Sequence, residues 1–216
     1  RLYQSDYKNK LERFIDYDID ENQLLVRIES PNDFPNYFMR DFDKGELKQL
    51  TQFENPFISI KDIHKEVISY KRADGLELSA TLYLPVGYDK EKKEKMPMIL
   101  WAYPREFKDQ SSAAQKTSNP NTFTYPNYGS PIYWVTKGYV ILDRASFPIL
   151  GVGDTEPNDT FIKQLVGNAE AAIDAADALG YIDRNRVAVG GHSYGAFMVA
   201  HLLSHSDLFA AGIARS

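Results

Sequence analysis

Over the first sixty or so residues, apolar and polar positions alternate in short runs. Phe14-Ile15-Asp16-Tyr17-Asp18-Ile19 is one such run, Leu24-Leu25-Val26-Arg27-Ile28-Glu29 a second, and Tyr37-Phe38-Met39-Arg40-Asp41-Phe42 a third. Leu47 to Leu50 is a short fourth, and Pro31-Asn32-Asp33 and Lys44-Gly45 punctuate the series. Period-two alternation between turn residues predicts strands half-buried in an antiparallel sheet. Four such strands are the unit of a β-propeller blade, and a single blade cannot bury its own faces. Residues 1–60 are therefore expected to be the C-terminal end of a β-propeller domain, with further blades on the N-terminal side.

Beyond Asn55-Pro56 the pattern changes. Val67 to Lys71, Gly75 and Leu78 to Leu84 predict a long hairpin, followed by the charged, loop-like Asp89 to Lys95. Met96 to Tyr103 and Val140-Ile141-Leu142 are unbroken apolar runs, as expected of strands covered on both faces. Between them, Ile132 to Val135 predicts a short helix ended by Lys137-Gly138. The clearest helix runs from about Asp159 to Leu179, where Ile162, Leu165, Val166, Ala169, Ile173 and Ala176 recur along one face. Asp159 or Thr160 is expected to cap its start and Gly180 its end. Val187-Ala188-Val189, a helix from Ala196 to Leu203, and a strand from Ala210 to Ala214 complete the series. Strands alternating with helices predict an α/β fold with a mostly parallel sheet over residues 61–216.

Between the strand at Val187 and the helix at Ala196 stands Gly191-His192-Ser193-Tyr194-Gly195, a G-x-S-x-G sequence. Strand, sharp turn and helix form the setting in which this motif is a nucleophile elbow. Crowding at the turn demands small residues on either side of the serine, which Gly191 and Gly195 provide. The helix that follows aims its N-terminal N–H groups where negative charge develops in acyl transfer. Ser193 is thus the candidate nucleophile, and the backbone N–H of Tyr194 a candidate oxyanion donor.

A serine hydroxyl needs a base, and the usual chain order in this class of fold is Ser, then Asp or Glu, then His. After Ser193 only His201, His205 and Asp207 are available. His201 follows too soon on the same helix to fold back, and Asp207 precedes any further histidine-bearing strand, so all three are expected to be ordinary helix and helix-end residues. His192 is expected to shape the turn or pocket, and His64 to lie on the surface. The acid and the base are expected beyond Ser216, and the natural start of the protein before Arg1.

Composition narrows the chemistry. The 216 residues carry a net charge of −5, which leaves no basic surplus for nucleic acid. The chain contains no cysteine, which excludes disulfides, a cysteine nucleophile and thiolate metal sites but leaves the compartment open. No apolar run reaches membrane-spanning length, the histidines and carboxylates lack metal-ligand spacing, and neither a metal nor a cofactor is expected. Gly151-Val152-Gly153 lacks the third glycine and the helix start of a phosphate loop, and is assigned to a loop bordering the site.

Several longer stretches carry a resemblance. They are Trp101-Ala102-Tyr103-Pro104-Arg105-Glu106-Phe107-Lys108, Gly151-Val152-Gly153-Asp154, Gln164-Leu165-Val166, Asp183-Arg184-Asn185-Arg186 through Met198, and Gly212-Ile213-Ala214-Arg215-Ser216. Here the chain resembles the prolyl-oligopeptidase family of serine peptidases, and within it the glutamyl endopeptidase branch. The resemblance covers most of residues 65–216, whereas residues 1–60 match in pattern only. It implies an α/β-hydrolase domain, of which residues 61–216 are the N-terminal portion, preceded by a propeller. It also implies cleavage of peptides through a Ser193 acyl-enzyme and an oxyanion contact from the Tyr103 phenol. Many relatives carry Tyr-Gly-Gly or Tyr-Ala-Gly where this chain has Tyr103-Pro104-Arg105. Cleavage after Glu requires a cation for the substrate carboxylate, and Arg105, Arg144 and Arg215 are the candidates at the carboxyl edge of the sheet. The expected partners are a peptide substrate and the remainder of the chain's own hydrolase domain and propeller. An esterase or lipase shares the chemistry, and a non-catalytic pseudo-hydrolase acting in protein interactions is the alternative of a different class. The intact Gly191, Ser193, Gly195 and Tyr103 weigh against the latter.

Overall fold

Four strands, β1 (Leu11–Asp18), β2 (Gln23–Glu29), β3 (Asn36–Asp41) and β4 (Glu46–Gln49), form an antiparallel meander in chain order. The computed structural model describes residues 3–113, 119–127, 129–151 and 153–216. Period-two patterning explains this sheet. Leu24, Val26 and Ile28 of β2 are buried on one face, where Tyr7, Tyr17, Phe38 and Phe42 pack over them. The turns are closed by aspartates: Asp18 accepts the N–H groups of Asp20 and Glu21, and Asp41 those of Asp43 and Lys44.

The sheet belongs to a compact unit made of Arg1–Asp62 and Asn119–Tyr125. The second of these segments has no strand pattern, yet it is tied in firmly. Asn121 donates to the carbonyl of Lys8 at 3.1 Å, and Phe123 packs on Phe34 and Phe57. Phe123 N–H also reaches Glu29, a buried carboxylate that Arg13 meets at 2.9 Å.

The other unit comprises Ile63–Ser118 and Pro126–Ser216. It is built on six strands: β5 (Lys65–Lys71), β6 (Glu77–Tyr83), β7 (Met96–Phe107), β8 (Val140–Leu150), β9 (Ile182–His192) and β10 (Ala211–Arg215). Their order across the sheet is β10-β9-β7-β8-β6-β5. The four strands from β10 to β8 are parallel, and the β5–β6 hairpin joins β8 antiparallel. Met98, Leu100, Ile141, Leu142, Val187 and Val189 lie fully buried in the central strands, as their unbroken apolar runs require.

Helices α1 (Gln110–Ala113), α2 (Phe161–Ala178) and α3 (Tyr194–His205) belong to the same unit. On α2, Leu165, Ala169, Ile173 and Ala176 join the core, with Ile162 and Val166 half-buried beside them. Its start differs from expectation. A 3-10 turn, Pro157–Thr160, precedes the helix; the Asp159 carboxylate accepts the Glu156 N–H at 3.0 Å, and the Thr160 hydroxyl accepts from the Gln164 side chain. Gly180 ends α2 in the left-handed region with its N–H on the Asp177 carbonyl. The short helix expected at Ile132 is a 3-10 segment, Pro131–Lys137, capped by the Ser130 hydroxyl and ended by Gly138.

Two strands outrun their apolar cores. β7 continues past Tyr103 to Phe107, and β8 past Leu142 to Leu150, pairing with each other to the end. The pairing shifts between Leu142 and Ala145, where β8 carries an extra residue. Arg144 takes up that bulge with a φ of 51°.

Candidate active site

The turn from β9 into α3 is held in an unusual backbone state. Ser193 has φ 56° and ψ −115°, a region that glycine occupies readily and other residues enter at a cost of about 1–3 kcal/mol. Three contacts hold it there. Its N–H donates to the Arg215 carbonyl at 2.8 Å, and its own carbonyl accepts from Ala196 at 2.9 Å and Phe197 at 3.3 Å. The flanking glycines leave no room for side chains. A Cβ on Gly191 would lie 2.6 Å from the Gly195 backbone, and one on Gly195 would lie 2.8 Å from the Ala102 carbonyl oxygen. The first turn of α3 therefore rests directly on β7 at Ala102 and Tyr103. Ser193 itself is exposed.

That packing brings both candidate oxyanion donors to the elbow. Tyr194 opens α3, so its N–H is one of the helix-end donors without an intrahelical partner. Tyr103 lies two residues past Trp101, the last β7 residue paired with β9, and is 48% exposed. It is not the end of β7, because the strand continues beside β8. The two tyrosine rings meet edge to face at 6.1 Å. The Tyr194 ring also stacks on Phe161 and Phe197, both at 5.8 Å, and its hydroxyl donates to Glu106 at 2.9 Å. Burial, and then the Glu106 carboxylate, push the Tyr194 phenol up to about 12.

A pocket of about 410 Å³ opens beside Tyr103, over the paired outward arms of β7 and β8 and against Ser112 and Ala113 of α1. Tyr103, Arg105 and Phe107 line one side and Arg144, Phe147 and Pro148 the other. Arg105 and Arg144 are both exposed cations on its wall. The bulge re-aims Arg144, placing an arginine where regular pairing would not. Beside it, burial raises Asp143 above the usual carboxylate range, with the Arg144 charge opposing that rise. Arg215 does not line this pocket. Its guanidinium lies against Gly129, and its contribution to the elbow is the carbonyl that Ser193 binds.

The remaining residues singled out in the sequence fall elsewhere. His201 meets Phe197 edge to face at 4.2 Å and stacks on His205 at 5.6 Å, and His205 meets the His201 carbonyl through Nδ1 at 2.9 Å. His192 is exposed next to Ser193, and His64 contacts Glu66 at 3.2 Å. Asp207 follows the end of α3. Gly151 donates to the Phe107 carbonyl at 3.0 Å, at the tip of the two arms; Val152 lies outside the described residues. Among the described residues no group of three histidine, cysteine, aspartate or glutamate side chains could hold a metal ion. Among the described residues, no helix is long and apolar enough to cross a membrane.

Sequence reasoning did not single out Phe107, Phe147 or Pro148 as pocket residues, nor Glu106 as the partner of Tyr194. The only signal was that Glu106 and Phe107 sit in the stretch that begins at Trp101.

The chain is 39% identical over its whole length to a protein described as "Probable glutamyl endopeptidase, chloroplastic" from Arabidopsis thaliana, and 38% identical to the rice protein of the same description. It spans 24% of the length of each. Among solved structures, the acylaminoacyl peptidase of Pyrococcus horikoshii matches 93% of this chain with 30% of its own, at a TM-score of 0.58 and 23% identity. The Porphyromonas gingivalis dipeptidyl peptidase 4 matches 89% of the chain with 27% of its own, at a TM-score of 0.57 and 20% identity. At these identities the structural likeness speaks for the fold. The profile of the Prolyl oligopeptidase family matches residues 163–216, from early α2 through the elbow to the end of β10. Over the quarter of its curated relatives' length that it spans, the chain is similar throughout to these two proteins, and over residues 163–216 it matches the prolyl oligopeptidase family.

Proposed function

We propose that this chain carries the nucleophile and part of the specificity pocket of a serine peptidase that cuts peptides after glutamate. Residues 61–216 would be the N-terminal portion of an α/β-hydrolase domain, and residues 1–60 the last blade of a β-propeller. The observation that carries the reading is the strained Ser193 between Gly191 and Gly195, packed against the strand that bears Tyr103 and Arg105.

In this mechanism the Ser193 hydroxyl attacks the scissile carbonyl carbon. A base and its acid partner, supplied by chain outside residues 1–216, take the serine proton and return it to the leaving amine. The Tyr194 N–H and the Tyr103 hydroxyl donate to the oxygen that becomes negative. Water then hydrolyses the acyl-enzyme. The carboxylate of a substrate glutamate enters the pocket between Arg105 and Arg144, where a fork of guanidinium donors compensates its loss of water. The glutamyl endopeptidase description of the plant relatives supports this choice of substrate.

The test is a peptide series on the full-length protein, varying only the residue before the cut. Preference for Glu that falls when Arg105 or Arg144 becomes Met, with all cleavage abolished by Ser193→Ala, is the expected result. Equal cleavage after Glu, Ala and Pro would remove the glutamate assignment. Cleavage that survives Ser193→Ala would remove the nucleophile.

A further inference from the structure

The arm of β8 from Ser146 to Leu150 forms one wall of the pocket, yet only one of its edges is paired to a strand. The inner edge runs along β7 as far as Phe107. On the outer edge, β6 pairs with β8 only at Ile141, Leu142 and Asp143. Beyond that point the backbone groups need other partners, because a buried carbonyl or N–H left unpaired loses its hydrogen bonds to water without replacement.

Side chains supply them. Asn168, fully buried on α2, donates to the Pro148 carbonyl at 3.0 Å. Arg72, buried at the start of the β5–β6 turn, reaches the same carbonyl at 3.4 Å and Asn168 Oδ1 at 2.9 Å. Its other nitrogens fork onto Asp74 at 3.0 and 2.7 Å, which fixes the guanidinium in place. Gln164, one turn before Asn168, holds Leu150 from both sides. Its Oε1 accepts the Leu150 N–H at 2.9 Å, and its Nε2 donates to the Leu150 carbonyl at 2.8 Å. Pro148 and Leu150 are two apart, so their outward groups recur with the strand's own period. Gln164, Asn168 and Arg72 together take the place of a missing neighbour strand.

We infer that Gln164, with Arg72 and Asn168, is a positioning residue for the substrate pocket: it fixes the β8 arm and through it Phe147, Pro148 and the bulged Arg144. This inference rests on the proposal above that the pocket receives the substrate side chain. The hydrogen bonds of these three side chains run to one another, to Asp74 and Thr160 and to the β8 arm rather than to the elbow, so substrate fit and serine reactivity should separate.

Gln164→Leu and the milder Gln164→Glu, which keeps the acceptor for Leu150 N–H and loses the donor, are made in the full-length protein. Three quantities are measured: amide hydrogen exchange of the segment 146–151, KM and kcat for a peptide with Glu before the cut, and the rate at which a small uncharged fluorophosphonate labels Ser193. The expected result is faster exchange at Leu150, a KM raised about tenfold, the scale of one lost hydrogen bond, and kcat and labelling within about twofold of the parent. An arm that exchanges no faster in either variant overturns the inference. So does a faster arm with unchanged KM, or a labelling rate that falls as KM rises. If Gln164→Leu fails to fold, Gln164→Glu decides. A parent protein that cleaves no peptide defeats the functional proposal instead, and the arm is then judged by exchange alone.

Discussion

The backbone N–H of Ser193 donates to the carbonyl of Arg215 at 2.8 Å. This bond ties the candidate nucleophile to the last residue of β10 and helps keep it in a conformation that a serine avoids when free. The strain is therefore stored in one residue and sustained by its neighbours. Ser193→Gly should relieve it. We expect the glycine variant to be more stable than Ser193→Ala by about 1 kcal/mol, the relief being offset in part by the entropy that glycine adds to the unfolded chain. Denaturant unfolding of the two variants checks this, and equal midpoints would mean that the turn carries no strain.

Tyr103 is about half exposed beside the elbow, and its ring packs on Tyr194. If its hydroxyl meets the oxyanion, Tyr103→Phe in the full-length protein should lower kcat by about 10²-fold with little change in KM, since the bond strengthens only as charge develops. An unchanged kcat would leave the ring with a packing role alone.

The Tyr194 phenol lies at about 12, above its ordinary 10.0, through burial and the hydrogen bond to Glu106. Glu106→Gln removes the negative neighbour and should bring this titration back toward 10.0. Carbon NMR of ring-labelled tyrosine, with Tyr194→Phe to assign the signal, measures it. A titration that does not move would show that burial accounts for the whole shift.

Asp74 is held below the usual carboxylate range chiefly by its hydrogen bond from Arg72. A carboxyl with a lowered folded-state value favours folding above the unfolded-state value of 3.8, and that contribution disappears as pH falls through its folded value. Asp74 is more than half exposed, so the effect is modest and salt-screened. The melting temperature of the parent should thus fall more steeply than that of Asp74→Asn as pH drops below 3.8. Parallel curves would sink the assignment.

The elbow was legible in the sequence because its demands are local. A buried strand must end, a turn must fit between two glycines, and a helix must begin, all within a dozen residues. The four-strand meander was legible for the same reason, since its turns and alternation are written residue by residue. The arms of β7 and β8 were not. Pro104, Arg105, Arg144 and Pro148 interrupt the apolar pattern, and those segments are strands only because they pair with each other and with side chains far along the chain. Arg144 illustrates the limit well. A left-handed arginine at a bulge has no period of its own, so the residue could be nominated from the sequence but its direction could not. Residues 119–125 escaped altogether, because their place is set by Asn121 and Phe123 meeting partners 113 and 94 residues earlier.

The side-chain ladder along the outer edge of β8 has one further consequence. A bare strand edge is a template on which another extended chain can add, and peptides are extended chains. With the outward groups of Pro148 and Leu150 already occupied by Arg72, Asn168 and Gln164, that edge offers nothing to copy. Under the function proposed above, a peptide entering the pocket would meet Arg144 and Phe147 on this wall rather than a free row of backbone donors and acceptors. The wall would then select a side chain without being colonised by the peptide's own main chain, and the same occupancy denies a second copy of the protein a place to start a shared sheet.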